Sequence, residues 1–302
     1  MIQVEWHDPN FAFVAREKGG RRRRITAFCY ARTKNDLIKS LDRRGLEVRA
    51  EDIAPYDFTD WLNRAELAKR DAVRQYKAGI RPIEFDEDLW GELKFHLFEL
   101  FNGKCAYCES NVQHIDFGDV DHYRPKKKVK EDPRKGTDPG HPGYYWLAYY
   151  TLNLLPACGL CNKPPGKGAQ FPVLGTHSRS PKALDDEQPL LLNPYNNNIN
   201  PLEHLEFNEK GAAIERNGSQ FGKNSELIFR LNRPYIGEKR RTAMIKVQTD
   251  WSTMTSLYSS YYKGDELERQ RKKYRLDVAM GHREYSAAQL CELERITKRG
   301  GT

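Results

Sequence analysis

The segment 86–101 has apolar residues at helical spacing, immediately before the first cysteine pair of the chain. Asp86 can cap the start of a helix there, and Gly103 stands where a helix commonly ends. We therefore predict one helix over 86–101 that leads directly to Cys105. Its apolar positions are Leu89, Trp90, Leu93, Leu97, Leu100 and Phe101.

Elsewhere the hydrophobic pattern predicts a mixture of helices and short strands. Helical spacing appears over 34–44, 57–77 and most of 225–299, two short strands are expected within 105–125, and 144–154 reads as a buried helix or turn. The expected fold class is α+β. We divide the chain into a mixed region at 1–85, a core at 86–180 and a mainly helical region at 181–302.

The composition argues against a membrane protein and a secreted protein. No apolar run approaches the roughly 18 residues that a membrane span requires. The first residues also lack the pattern of a secretion signal, so a cytoplasmic location is expected. The net charge is +8, with 50 Lys and Arg against 42 Asp and Glu. The basic residues cluster in runs, which suit either a phosphate backbone or a solvated charged face.

Four of the six cysteines form two pairs, Cys105-x-x-Cys108 and Cys158-x-x-Cys161. In a reducing compartment such pairs favour a metal over disulfides. Four thiolates fill a tetrahedral site and leave no open position, so we predict a structural Zn²⁺ that holds the core together. The alternative is four ordinary buried thiols.

Polar residues between and after these pairs follow a recognisable order. The chain has Asp119-Val120-Asp121-His122-Tyr123-Arg124-Pro125, then Asn153, then Asn162 directly after Cys161, and then Lys167. This order resembles the signature of HNH nucleases in its HNN form. The resemblance implies a ββα-metal core that hydrolyses phosphodiester bonds.

The same resemblance implies a role for each polar residue. His122 would be the general base, and Asp121 with Asn162 would hold a catalytic Mg²⁺ or Mn²⁺. Asn153 would brace the loop that carries His122. Because neighbouring residues of a strand face opposite sides, Asp121 and His122 can serve one site only where the strand ends or bends. The basic residues near this point are expected either to contact phosphates or to be solvated, and they are Arg124, Lys126 and Lys167.

A longer set of motifs resembles the PtuB-type HNH proteins of bacterial Septu and retron defence systems. It comprises Asp88 to Cys108 with the run Gly-Lys-Cys-Ala-Tyr-Cys-Glu, Asp121 to Lys126, Leu192-Asn193-Pro194, His204 to Phe207 and Leu231-Asn232-Arg233. That resemblance implies anti-phage immunity beside an ABC-type ATPase. Residues 1–85 do not match the family pattern.

Three functions are compatible with these patterns. The first is a DNA endonuclease, and the second is a zinc-stabilised module that binds nucleic acid or a partner without cutting. The third is a toxin-like ribonuclease that uses the same site on RNA. Asp121, His122 and Asn162 favour cleavage, because binding alone does not require a carboxylate beside a histidine. The sequence leaves the oligomeric state and target specificity open.

Overall fold

The structure is a computed structural model of the chain. It describes residues 1–9, 11–16, 22–27, 38, 48, 51, 53–112, 118–130, 140–261, 264–281 and 283–299. Apart from Ile38, the helix predicted over 34–44 lies outside these residues.

The described residues form helices together with several small antiparallel sheets. The strands are β1 (Phe11–Arg16), β2 (Arg22–Ala27), β3 (Ile53–Pro55), β4 (Asp119–His122), β5 (Leu154–Ala157), β6 (Val173–Leu174), β7 (Gln188–Pro189), β8 (Leu205–Phe207) and β9 (Ala213–Glu215). The α-helices are α1 (Phe58–Lys77), α2 (Glu87–Gly91), α3 (Lys94–Leu100), α4 (Gly159–Asn162), α5 (Gln220–Ile228), α6 (Ile236–Tyr261), α7 (Gly264–Ala279) and α8 (Ser286–Arg299). Strand β1 lies between β2 and β3, and the other strands pair as β4–β5, β6–β7 and β8–β9.

Helix α1 confirms the helical prediction over 57–77 and packs on the segment before the cysteines. Asp57 caps it by accepting from the backbone N–H groups of Thr59 and Asp60. Its buried Trp61 donates an indole N–H to the carbonyl of Leu89, 2.8 Å away. This contact anchors α1 to α2.

The single helix predicted over 86–101 is wrong, because the chain forms two helices, α2 and α3. In a continuous helix the carbonyl of Leu89 would accept from the N–H of Leu93. Here that carbonyl accepts from Trp61, and the Leu93 N–H donates instead to Trp90 at 3.1 Å. The predicted ends are confirmed, since Asp86 caps α2 and Gly103 has a φ of 75° after α3.

Two short strands were predicted within 105–125, and residues 113–117 of that segment lie outside those that the structure describes. Strand β4 lies in that segment, but its antiparallel partner is β5, with Asp121 opposite Leu155 and His122 opposite Leu154. All four residues of β5 are buried. A fully apolar strand fits the middle of a packed core better than a polar strand does. The first cysteine pair lies beside β5, because the Ala106 N–H donates to the carbonyl of Pro156 at 2.8 Å.

The β4–β5 pair separates two clusters of buried apolar residues. Leu155 packs into the main core, which also holds Tyr107 and Phe229. Leu154, its neighbour, packs into a second core with Trp61 and Trp90. Successive residues of β5 therefore face different cores. The main core contains residues from all three predicted regions, and the division into regions stays a prediction.

Among the described residues, no helix is both long and apolar enough to cross a membrane.

Candidate functional site

The four paired cysteines come together in one cluster. Their sulfur atoms all lie within 4.8 Å of one another, and the Sγ atoms of Cys108 and Cys158 are 3.9 Å apart. Zn–S bonds of about 2.3 Å in a tetrahedron place sulfur atoms about 3.8 Å apart. The donor set and its spacing therefore fit a metal ion such as zinc.

Helix α4 and its flanking loops form the second half of this cluster. Cys158 precedes α4, and its carbonyl accepts from the N–H groups of Cys161 and Asn162, both at 3.0 Å. This tight turn directs both thiols of the pair to one point.

Arg233 lies against the cluster, a contact that the sequence analysis did not anticipate. Its guanidinium is 3.2 Å from the Sγ of Cys161 and 3.9 Å from the Sγ of Cys158. It also donates to the carbonyl of Phe229 at 3.0 Å. A cation at this position would offset the negative charge of the thiolates when a metal ion is bound. Leu231-Asn232-Arg233 stood out as a motif, but no local signal in the sequence connects it to the cysteines.

Asp121 is buried on the side of β4 that faces the main core. Its carboxylate accepts from the Tyr107 hydroxyl and lies 3.0 Å from the Nζ of Lys167. Burial raises the pKa of Asp121 above its ordinary value, although the Lys167 charge acts in the opposite direction. The carboxylate expected to hold a divalent ion is thus held by two side chains of the protein.

Lys167 is fully buried, whereas we expected it either to contact phosphates or to be solvated. Besides Asp121, its Nζ donates to the carbonyl of His122 at 2.7 Å. Burial lowers the pKa of Lys167, and Asp121 acts against that shift. A buried ammonium requires such partners, which explains its position.

His122 is the last residue of β4, and its ring faces the second core. The Nε2 atom lies 2.9 Å from the carbonyl oxygen of Ala148, and the ring meets Trp90 edge-on with centroids 4.8 Å apart. A carbonyl oxygen only accepts hydrogen bonds, so we assign the hydrogen to Nε2 and a lone pair to Nδ1. Burial, and then the charge of Lys126, lowers the pKa of His122 well below its ordinary value. The ring is therefore neutral at neutral pH.

Lys126 lies beside Nδ1, the unprotonated nitrogen of this histidine. Its Nζ is 3.4 Å from the Nδ1 of His122 and 4.4 Å from the centroid of the Trp90 ring. Burial lowers the pKa of Lys126 to about 8. The side chain is half-buried.

Arg124 takes part in an internal hydrogen-bonded network. Its Nε donates to Glu187 at 2.9 Å, and Glu187 also accepts from the Ser178 N–H at 2.7 Å. The expected phosphate contact of Arg124 stays a prediction, and it would require the side chain to leave this ion pair.

Asn153 connects the chain before β5 to the residues that follow His122. Its Oδ1 accepts from the Arg124 N–H at 2.7 Å, and its Nδ2 donates to the carbonyls of Arg124 and Leu147, both at 3.1 Å. Every hydrogen-bonding position of the amide except one acceptor lone pair is used. The side chain fixes both backbone groups of Arg124, two residues after His122.

Replacing Asn153 with alanine should lower the free energy of unfolding by about 2–4 kcal/mol, because buried backbone groups lose their partners. Urea unfolding measures this as a lower midpoint with an unchanged slope. Asn224, which makes one exposed contact to Gln220 at 2.7 Å, is the control, and its alanine variant should change stability by about 0.5 kcal/mol or less. Equal midpoints for the two variants would show that the Asn153 contacts do not stabilise the loop.

Asn162 ends α4 and contacts a different carboxylate from the one expected. Its Nδ2 donates to Asp119 at 3.2 Å, and the Nζ of Lys163 approaches the same oxygen at 3.2 Å. Asp119 and Asp121 alternate with Val120 along β4, so both carboxylates lie on one face of the strand. In the structure Asp121 is thus bound to Lys167, while Asn162 is bound to Asp119.

Two proteins of Bacillus mycoides (strain KBAB4) are similar to this chain. Septu protein PtuB is 38% identical over 146 residues, which is 48% of this chain and 48% of PtuB. Septu protein PtuA is 28% identical over 163 residues, which is 53% of this chain and 21% of PtuA.

The chain spans about half the length of PtuB and about a fifth of PtuA. No protein-family model matches it, and no solved structure matches it at a significant level. The chain is therefore related to Septu protein PtuB over about half of its length.

Proposed function

We propose that this chain is a metal-dependent endonuclease of the HNH type that hydrolyses phosphodiester bonds of DNA. The observation that carries the proposal is the geometry of His122. Its Nε2 lies 2.9 Å from the carbonyl of Ala148, so the ring is held in the tautomer whose Nδ1 can accept a proton. A neutral imidazole with a fixed, unprotonated nitrogen has the form that a general base requires.

The chemistry follows from that nitrogen. Nδ1 of His122 takes a proton from water, and the water oxygen forms a bond to phosphorus. The bond from phosphorus to the 3′ oxygen breaks, and that oxygen takes up a proton from a second water molecule. The products carry 5′-phosphate and 3′-hydroxyl ends. The Nζ of Lys126, 3.4 Å from Nδ1, would bind the negatively charged phosphate group before it is attacked.

The proposed nuclease binds two kinds of metal ion. The cysteine cluster fits Zn²⁺ by its four sulfur donors and their spacing. The oxygen donors of Asp121 and Asn162 are of the type that Mg²⁺ or Mn²⁺ prefers, and we propose that these side chains hold the catalytic ion. When bound, that ion would offset negative charge on the phosphate. The side chains of Asp121 and Asn162 must then accept the ion in addition to their present partners.

The biological setting proposed is bacterial anti-phage defence. The similarity to Septu proteins PtuB and PtuA supports a role in such a system, with a partner protein of the same system. The family resemblance implies that this partner is an ABC-type ATPase. Location in the cytoplasm follows from the same setting and stays a prediction.

The direct test is cleavage by the purified chain. Supercoiled plasmid DNA should be nicked or linearised with Mg²⁺ or Mn²⁺, and excess EDTA should stop the reaction. A single-stranded DNA and an RNA of the same sequence distinguish a DNA endonuclease from a ribonuclease. Binding of these substrates without cleavage, alone and with the partner present, would instead identify a nucleic-acid-binding module.

A further inference from the structure

Asp121 is held by one side chain from each half of the cysteine cluster. Tyr107 lies between Cys105 and Cys108, and its hydroxyl donates to Asp121. Lys167 follows the second cysteine pair. Its backbone N–H donates to the carbonyl of Cys161 at 2.8 Å, and its Nζ lies 3.0 Å from Asp121.

Packing and burial hold the side chains of Tyr107 and Lys167 in place. The Tyr107 ring stacks on Phe229 with centroids 3.9 Å apart and planes 14° from parallel. Lys167 is 0% exposed, so its ammonium has no water to replace its protein partners. Tyr107 cannot move away from Asp121 without losing its stacking on Phe229, and Lys167 cannot move away without leaving a buried charge unpaired.

Lys167 also acts on the neighbouring histidine. Its Nζ donates to the carbonyl of His122 at 2.7 Å, so one ammonium fixes the Asp121 carboxylate and the end of β4. Adjacent strand residues face opposite sides, and in this structure Asp121 contacts Tyr107 of the main core while His122 contacts Trp90 of the second core. Because Lys167 contacts both residues at the end of β4, it fixes the position of one relative to the other.

We propose that Tyr107 and Lys167 are positioning residues, through which the cysteine cluster fixes Asp121 and the end of β4 that carries His122. The proposal rests on the function proposed above, because it assigns these residues to the same site. It explains why a metal cluster and a catalytic histidine occupy one short region of the chain. Metal on the cysteines would hold not only the fold but also the geometry of the base.

The test uses one variant for each contact. Tyr107→Phe keeps the ring on Phe229 and removes only the hydroxyl, and it should lower kcat about tenfold. Lys167→Met keeps the length of the side chain and removes the charge, and it should lower kcat about 100-fold. KM for DNA should change less than threefold in either variant, since neither residue meets the substrate.

Matched controls separate positioning from general loss of stability. Tyr285→Phe removes a buried hydroxyl that contacts Ser110 at 3.1 Å, beside Cys108. Lys104→Met removes a buried ammonium that donates to the carbonyls of Gly281 and Arg283. Both controls perturb the surroundings of the cluster without touching Asp121, and both should keep kcat per folded molecule within twofold.

The second readout is the NMR spectrum of the His122 ring in the full chain. Its ring signals should shift in Tyr107→Phe and Lys167→Met and stay in place in the two controls. Unshifted signals in all four variants, or equal shifts in variants and controls, would overturn the proposal. The NMR spectrum also tests the positioning of His122 if the wild-type chain cleaves neither DNA nor RNA. That result would remove the proposed function but leave the positioning of His122 measurable.

Should Lys167→Met fail to fold, Tyr107→Phe with its Tyr285→Phe control decides the outcome alone. A wild-type kcat and wild-type His122 signals in Tyr107→Phe would then overturn the proposal.

Discussion

Replacing His122 with alanine should reduce DNA cleavage by about 10²–10⁴-fold in kcat, the range expected when a general base is lost. The physical reason is the loss of the only group that we assign to deprotonate water. His122→Gln tests the same point with less loss of volume, since its amide can still donate to the carbonyl of Ala148. Steady-state cleavage of plasmid DNA, with zinc content and thermal unfolding measured in parallel, checks the result.

His204 supplies a control histidine away from the site, with its Nδ1 2.8 Å from the Oγ of Ser219. His204→Ala should cleave DNA at the wild-type rate. Cleavage by His122→Ala within threefold of wild type would end the assignment of His122 as the base. An equal loss in both histidine variants would instead indicate an effect on folding.

Replacing Cys158 with alanine should remove the metal and unfold the core. Binding of a structural Zn²⁺ contributes about 10–16 kcal/mol in zinc-finger peptides, which is comparable to the total stability of a domain, about 5–15 kcal/mol. Three sulfur ligands leave the ion an open position and the remaining thiolates without their common partner. Elemental analysis for zinc and circular dichroism during heating should show loss of both the metal and the cooperative transition.

Cys291 provides a matched control, because it is buried and lies outside the cluster. Cys291→Ala should retain zinc and lower the free energy of unfolding by about 1–2 kcal/mol, as expected for a small cavity. If Cys158→Ala melted at the same temperature as Cys291→Ala and held the same zinc, the four cysteines would not stabilise the fold through a metal.

Local patterns predicted individual elements well where contacts with distant residues did not intervene. Helix α1 was predicted over 57–77 from spacing alone and occupies Phe58–Lys77. The helix predicted over 86–101 is interrupted because Trp61, 28 residues earlier, binds the carbonyl of Leu89. A window of sequence around Leu89 contains no information about that indole.

The same distinction applies to the residues of the site. The spacing of the cysteines predicted their cluster, because each pair needs only one tight turn to direct two sulfur atoms to one ion. The surroundings of the three basic residues could not be predicted. Arg124 forms an ion pair with Glu187, Lys167 forms one with Asp121, and the Nζ of Lys126 contacts the ring of His122. A charged side chain is solvated or buried according to the partners that the fold brings to it.

The sequence by itself predicted that the cysteine pairs form one cluster whose donors fit a metal ion, and it placed an Asp-His pair near them, since both depend on residue type and short-range spacing. Only the tertiary structure decided that β4 pairs with β5, that Arg233 contacts the cysteines, and that Lys167 forms an ion pair with Asp121. Each of these contacts joins residues more than 30 positions apart. Such contacts form because burial of apolar surface brings distant segments together, and buried charges must then find partners among them.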